Sequence, residues 1–104
     1  MVILAIDSGN SYIKWGLYEA NQWVKKGKVH QSNVSLLAIE FKKLFKPQIV
    51  VVSHVGRAAT RYEIANIITS LYTLEPNWIV THVLQHLSET ILGYRINKER
   101  VYTI

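Results

Sequence analysis

Cysteine is absent from this chain, and several other residue types are scarce. The 104 residues include no cysteine, two prolines and five glycines, and Asp7 is the only aspartate. Without cysteine the chain forms neither disulfides nor thiolate metal sites, which fits a reducing compartment. No apolar run approaches the about 18 residues of a transmembrane helix, and the N-terminus lacks the basic segment of a signal peptide. We therefore expect a cytoplasmic protein with no membrane segment.

The shortage of acidic residues restricts the kinds of active site that are possible. The chain has 12 basic and 7 acidic residues, a net charge of +5, which favours anionic partners such as ATP, nucleic acid or an acidic metabolite. A two-metal nuclease needs several clustered carboxylates, whereas the glutamates here are scattered. Neither the P-loop pattern G-x-x-x-x-G-K-[ST] nor the dinucleotide pattern G-x-G-x-x-G occurs.

The strongest local pattern lies between Val2 and Leu17. An apolar run, Val2–Ile6, ends at Asp7, and a second apolar run contains Lys14. Between the two runs stand four turn-forming residues, Ser8, Gly9, Asn10 and Ser11. This arrangement predicts a strand, a tight turn and a second strand.

The chemistry of this turn suits a phosphate group. Gly9 tolerates positive φ and lets a ligand approach the backbone, and the backbone N–H groups of the turn could face an anion. Asp7 could hold a hydrated Mg²⁺, which prefers oxygen ligands and usually keeps several waters. The alternative is an ordinary β-hairpin in which the turn is only structural.

Residues 6–16 read Ile-Asp-Ser-Gly-Asn-Ser-Tyr-Ile-Lys-Trp-Gly and resemble the phosphate motif D-x-G-N-[ST]-x-x-K of type III pantothenate kinases. The match has no gap over Asp7, Gly9, Asn10, Ser11 and Lys14. The family has an RNase H-like fold and belongs to the actin-like superfamily. The resemblance implies that ATP is bound by the whole stretch, namely Asp7, Ser8, Gly9, Asn10, Ser11, Tyr12, Ile13 and Lys14, and that Asp7 holds Mg²⁺ through water.

The remaining periodicities predict an α/β domain. We expect strands at Val2–Asp7, Ser11–Leu17, Trp23–Val29, Gln48–Ser53 and Trp78–Val83, and helices at Val34–Phe45 and Ala58–Leu74. A turn is expected at Tyr18–Gln22, and helical spacing places Phe45 and Tyr62 on buried stripes. The β-branched run Ile49–Val52 predicts a parallel strand next to the first. The order βββαβαβ, a mixed sheet with helices, is that of a single RNase H-like lobe over residues 1–104.

Three histidines attract attention because imidazole can bind metals or move protons. His54 follows the fourth predicted strand at its carboxyl end, where α/β sheets place ligands, although a structural role is the commoner one. His82 and His86 have the spacing of a zinc pair on a helix, but no glutamate follows His82 and a strand is predicted there. The sequence assigns no role to any of the three.

The C-terminal part resembles the same family more loosely. Residues 92–101 are similar to its G-Y-x-N-P-x-x-L stretch, although Lys98 stands in place of the proline. The resemblance implies that Tyr94 binds pantothenate, whereas a purely structural Tyr94 is the alternative. The family's general-base aspartate, in G-x-D-R, has no counterpart after Tyr94. We expect the sequence to correspond to the first lobe only, as a fragment, a truncated reading frame or a degenerate copy, without the second lobe and its site for K⁺ or NH4⁺.

The resemblance implies ATP-dependent phosphorylation of pantothenate, the first step of coenzyme A biosynthesis, in a family whose full-length members are homodimers. We expect this chain by itself to be inactive, with no catalytic residue of its own. The alternative is a non-catalytic regulatory or nucleic-acid-associated protein of the same fold, although nucleic acid is not the expected partner.

Overall fold

A five-stranded mixed sheet carries two α-helices on one of its faces in the computed structural model, which describes residues 1–79. The strands are β1 (Ile3–Ser8), β2 (Tyr12–Glu19), β3 (Gln22–His30), β4 (Ile49–His54) and β5 (Asn77–Trp78). The helices are α1 (Leu36–Lys42), preceded by a 3₁₀ turn at Gln31–Asn33, and α2 (Ala58–Tyr72). The element order βββαβαβ and the α/β class are therefore confirmed for these residues.

The strands lie in the order β3-β2-β1-β4-β5. β1 pairs antiparallel with β2, and β4 pairs parallel with β1, so that Ile49–Val52 lies inside the sheet as predicted. Parallel neighbours need a crossover connection, and α1 together with its flanking loops supplies it. The carboxyl ends of β1 and β4 consequently meet at one edge of the sheet, next to the turn between β1 and β2.

The two faces of the sheet have different surroundings. Alternate strand residues such as Leu4, Ile6 and Val52 are fully buried in a core cluster that also contains residues of α1 and α2, among them Phe41 and Ile68. The opposite face carries a smaller cluster, in which Ala5 is buried and Tyr18, Trp23, Val51 and Ile79 are partly buried. Because side chains alternate along a strand, Asp7 falls on this second face and Ser8 on the helical face.

The predicted turn at Tyr18–Gln22 is wrong in extent. β2 continues to Glu19 and β3 starts at Gln22, so only Ala20 and Asn21 form the connection, both with positive φ (53° and 62°). Two consecutive left-handed residues are typical of the mirror-image turns that match the twist of a hairpin. The polar residues Glu19 and Gln22 pair with each other instead of forming the turn.

Both predicted helices are longer than the observed ones. α1 begins at Leu36 because the 3₁₀ turn and Val34 precede it, and it ends at Lys42, which leaves Phe45 68% exposed. α2 ends at Tyr72, where Thr73 takes the left-handed conformation. Its buried stripe contains Ile64, Ile68 and Tyr72, and Tyr62 is exposed. Among residues 1–79, no helix is long and apolar enough to cross a membrane.

Candidate functional site

The turn between β1 and β2 is closed by a hydrogen bond from the Gly9 N–H to the Tyr12 carbonyl oxygen, at 2.8 Å. Gly9 is buried, whereas Asn10 and Ser11 are exposed at the tip. Within residues 1–79 the only glycine with positive φ is Gly56, at 110°, so Gly9 does not use the conformational freedom expected of it. The turn is thus closed by the Gly9–Tyr12 hydrogen bond, and Asn10 and Ser11 between these two residues face the solvent.

Asp7 and Lys14 stand side by side on the second face of the sheet. They are register partners in β1 and β2, and Ser53 of β4 is the register partner of Asp7 on its other side. Residues directly opposite on neighbouring strands project from the same face. Asp7 is only 4% exposed, whereas Lys14 is exposed. A carboxylate and an ammonium group are therefore brought together where β1 ends, next to the turn.

Ser8 lies on the helical face and is the centre of a hydrogen-bond network. Its side-chain oxygen lies 2.9 Å from Nδ1 of His54 and 3.2 Å from Nε2 of Gln31, and Ser8 is fully buried. Gln31 also donates from Nε2 to the Gly9 carbonyl and from its backbone N–H to the Ser11 carbonyl, the latter at 2.9 Å. The network joins the end of β1, the end of β4 and the segment after β3.

The donor and the acceptor of each hydrogen bond in this network can be assigned, because the Arg57 carbonyl oxygen at one end can only accept. Nε2 of His54 lies 3.0 Å from the Arg57 carbonyl oxygen, which can only accept, so Nε2 carries the proton. Nδ1 of the neutral ring then accepts from the Ser8 hydroxyl, and the Ser8 oxygen accepts from Gln31. Burial lowers the pKa of His54 below its ordinary value of 6.5, and the positive charge of Arg61 lowers it further, against the opposing effect of the bond to Arg57. His54 is thus held neutral and structural.

A cavity of about 440 Å³ opens beside the turn on the helical side. It is lined by Gly9 and Asn10, by the segment that follows β3, and by the start of α2 with Arg57 and Thr60. A Cβ atom on Gly56 would lie 3.2 Å from Oδ1 of Asn10, so the turn and the loop after β4 approach each other closely there. The cavity gives a small molecule room next to the turn.

The eight residues predicted to bind ATP therefore have different environments. Asp7 and Lys14 lie on the second face, while Ser8 is hydrogen-bonded on the helical face and Ile13 is fully buried in the core. Tyr12 is 45% exposed and meets the His30 ring edge-on, with 5.4 Å between ring centroids. The predictions for Tyr94, His82 and His86 concern residues outside the described range.

Gln31 is a supporting residue that the sequence did not single out. It reaches the turn from 22 residues further along the chain, and no local pattern marks it. His54 was singled out by its place after a strand, but its partner Ser8, 46 residues away, was not foreseen. Both contacts depend on where β3 and β4 lie beside β1.

Asp7 suits a Mg²⁺ ion that arrives together with a nucleotide. Magnesium is commonly held by one or two carboxylates together with phosphate oxygens and water. Residues 1–79 contain no group of three His, Asp, Glu or Cys side chains that could form a complete metal site. A single carboxylate at a strand end, beside an exposed turn, fits a Mg²⁺ site in which the protein supplies one ligand and the nucleotide phosphates and water supply the rest.

Comparison with known proteins shows which family this chain resembles. A family model described as type III pantothenate kinase matches residues 3–93. The type III pantothenate kinase of Nitrosospira multiformis is 33% identical over 78 residues, which is 75% of this chain and 29% of the relative. That of Nitrosomonas eutropha is 33% identical over 84 residues, 80% of this chain and 32% of the relative. The chain thus spans less than a third of the length of these relatives.

The fold has solved counterparts as well. A RuvC structure from Thermus thermophilus superimposes with a TM-score of 0.58 at 12% identity, covering 97% of this chain and 86% of that one. At this identity the likeness concerns the fold, which is RNase H-like. Since the family model spans most of the chain and two relatives match it over at least three quarters of its length, the chain belongs to the type III pantothenate kinase family.

Proposed function

We propose that this chain is the nucleotide-phosphate-binding lobe of a cytoplasmic kinase that transfers the γ-phosphoryl group of ATP to a hydroxyl of pantothenate. The observation that carries the proposal is the placement of Asp7 and Lys14 in register at the end of β1, beside an exposed turn. Family membership adds the reaction class and the substrate. Residues 1–104 correspond in this proposal to one N-terminal lobe.

Each part of the site has a role in the proposed binding. Asp7 orients the hydrated metal of the nucleotide, and Lys14 offsets the negative charge of the phosphates. The exposed turn residues Asn10 and Ser11 hold phosphate oxygens through their backbone N–H groups, while the Ser8 side chain keeps the turn in place through His54 and Gln31. When bound, Mg²⁺ neutralises charge on the phosphate oxygens. Such positioning and electrostatics supply most of the catalysis in phosphoryl transfer.

Fewer residues of this chain are assigned to pantothenate, the phosphoryl acceptor, than to the nucleotide. The cavity adjoins the turn at Gly9 and Asn10 from the helical side and leaves room there for the acceptor. Tyr94 is the proposed contact to pantothenate, carried over from the family's motif. Asp7 is the only aspartate and is assigned to the metal, so we propose that the chain alone does not turn pantothenate over.

The test is a titration of the 104-residue chain with Mg-ATP, followed by amide chemical shifts and by calorimetry. One lobe makes only part of the nucleotide contacts, so we expect a Kd of about 1 mM, or about 4 kcal/mol. Asp7→Asn should reduce the Mg²⁺ dependence of binding, because it removes the charge and keeps the shape. Lys14→Ala should weaken binding at every Mg²⁺ concentration.

Shifts confined to residues far from Asp7–Lys14 would refute the proposed site. Equal Mg²⁺ dependence in Asp7→Asn and the parent chain would remove Asp7 from the metal role. Lys42→Ala is a matched control for Lys14→Ala, since Lys42 is exposed at the end of α1 and lies outside the proposed site.

A second candidate is a nucleic-acid-associated protein of the same fold. It is favoured by the aromatic and basic residues of β2 and β3, where Lys26 lies 5.5 Å from the Trp23 ring centroid and Lys28 lies 4.9 Å from that of Tyr12. Aromatic platforms with cations are typical of single-strand binding. Submicromolar affinity for an oligonucleotide that falls steeply with salt, without any Mg-ATP response, would favour it over the kinase.

A further inference from the structure

Lys28 continues the row of side chains that starts at Asp7. In register, Asp7 of β1 is opposite Lys14 of β2, and Lys14 is opposite Lys28 of β3. Ser53 of β4 extends the row on the other side of Asp7. Four neighbouring strands thus place a hydroxyl, a carboxylate and two ammonium groups in one line on the second face, at the end of the sheet that carries the turn.

The two lysines are close enough to repel each other. The Gln31 N–H bonds to the Ser11 carbonyl at 2.9 Å, which makes Ser11 and Gln31 a hydrogen-bonded pair. Hydrogen-bonded and non-bonded pairs alternate along an antiparallel ladder, so Lys14 and Lys28 form a non-bonded pair, with Cα atoms about 4.5 Å apart. Like charges directly opposite each other are destabilising.

The side chain of Lys28 leans toward the turn. Its Nζ lies 4.9 Å from the ring centroid of Tyr12, the residue that closes the turn by accepting from Gly9. A cation above an aromatic face is attracted by the ring. Lys26 behaves differently, because it lies opposite Gly16, further from the turn, and contacts the Trp23 ring. Lys28 is therefore the second cation that faces the proposed phosphate position.

We propose that Lys28 binds the polyphosphate of the nucleotide together with Lys14. This inference rests on the proposed function and adds a residue that lies outside the D-x-G-N-[ST]-x-x-K motif. Two strand spacings, about 10 Å, separate Asp7 from Lys28. A polyphosphate held at Asp7 through its metal spans that distance with the help of a long lysine side chain. Binding also relieves the repulsion between the two lysines, so the phosphates gain affinity from both charges.

The experiment compares Lys28→Gln with Lys25→Gln in the 104-residue chain. Lys25 lies in the same strand and is exposed, but its register partner is Leu17, so it belongs to the opposite face. Both variants lose one positive charge and keep a similar side-chain length. Mg-ATP and inorganic tripolyphosphate are titrated into the parent chain, both variants, Lys14→Gln and Lys28→Arg. Thermal unfolding of each variant verifies that it is folded.

We expect Lys28→Gln to bind both ligands about fivefold more weakly, about 1 kcal/mol at 1.4 kcal/mol per factor of ten. Lys28→Arg should stay within about twofold of the parent chain, and so should Lys25→Gln, since exposed charges at a distance are screened. Equal losses in Lys28→Gln and Lys25→Gln would overturn the inference, because general charge would then explain both. A loss for Mg-ATP without one for tripolyphosphate would also overturn it. Binding that Lys14→Gln weakens and Lys28→Gln leaves unchanged refutes only this inference, whereas no binding by the parent chain refutes the proposed function as well.

Discussion

Replacing Ser8 by alanine should separate the structural role of the turn from its ligand contacts. Ser8 donates to Nδ1 of His54 at 2.9 Å and accepts from Nε2 of Gln31 at 3.2 Å, and it is fully buried. Each hydrogen bond contributes about 0.5–1.5 kcal/mol net. The loss of both bonds should therefore lower the free energy of unfolding by about 2 kcal/mol. At about 4–8 °C per kcal/mol for a domain of this size, Tm should fall by about 8–16 °C.

A matched control is available in the same molecule. Ser32 also bonds to a histidine, with 2.8 Å between its Oγ and Nδ1 of His30, but that pair is exposed and only two residues apart. Water can replace an exposed bond, so Ser32→Ala should lower the free energy of unfolding by less than about 0.5 kcal/mol. The two substitutions remove the same atom and differ in burial and in the segments that they join.

The assay is urea unfolding of both variants and the parent chain at pH 7.5, followed by far-ultraviolet circular dichroism. The slope of free energy against urea should be the same in all three, because it reports the surface exposed on unfolding. Equal midpoints for Ser8→Ala and Ser32→Ala would refute the reasoning. A destabilised Ser8→Ala that binds Mg-ATP as well as the parent chain would show that the network supports the fold but not the turn.

Two further predictions concern His54 and the glycines of the sheet. Burial lowers the pKa of His54 in the folded chain, so the unfolded chain takes up the proton first as the pH falls. The contribution of His54 to the free energy of unfolding is therefore fully present above pH 6.5 and is lost as the pH falls below that value. In His54→Gln the urea midpoint should therefore change less between pH 7.5 and pH 5.5 than it does in the parent chain. An equal change of the midpoint with pH in both proteins would contradict this. Gly27→Ala would put a Cβ atom 2.6 Å from Cζ2 of Trp15, which is 2% exposed and meets the Phe41 ring edge-on, so we expect a loss of about 1–3 kcal/mol. Gly16→Ala meets Trp23 instead, which is only half-buried and can move aside; a loss as large as that of Gly27→Ala in urea unfolding would contradict the explanation.

The sequence by itself determined the elements whose signals are local. The change from a period of two to helical spacing separates the hairpins from the helices, and the run Ile49–Val52 marks a strand inside the sheet. The stretch Asp7–Lys14 showed the family resemblance without any coordinates, because its residues are contiguous and their spacing is read directly. The end of α1 and the buried face of α2 were predicted less well. Phe45, beyond the end of α1, and Tyr62, within α2, are exposed although helical spacing placed them inside, since burial depends on what the helix packs against.

Only the tertiary structure decided how the motif is divided between the two faces of the sheet. Asp7 and Lys14 come together with Lys28 because three strands align in register, and Lys28 is 14 residues from Lys14 in a strand without a recognisable motif. Ser8 is held by Gln31 and His54, which are 23 and 46 residues away. The physical reason is the same in each case. A sequence pattern reports periodicity over a few residues, whereas these contacts exist only after β3 and β4 have been placed on either side of the first hairpin pair.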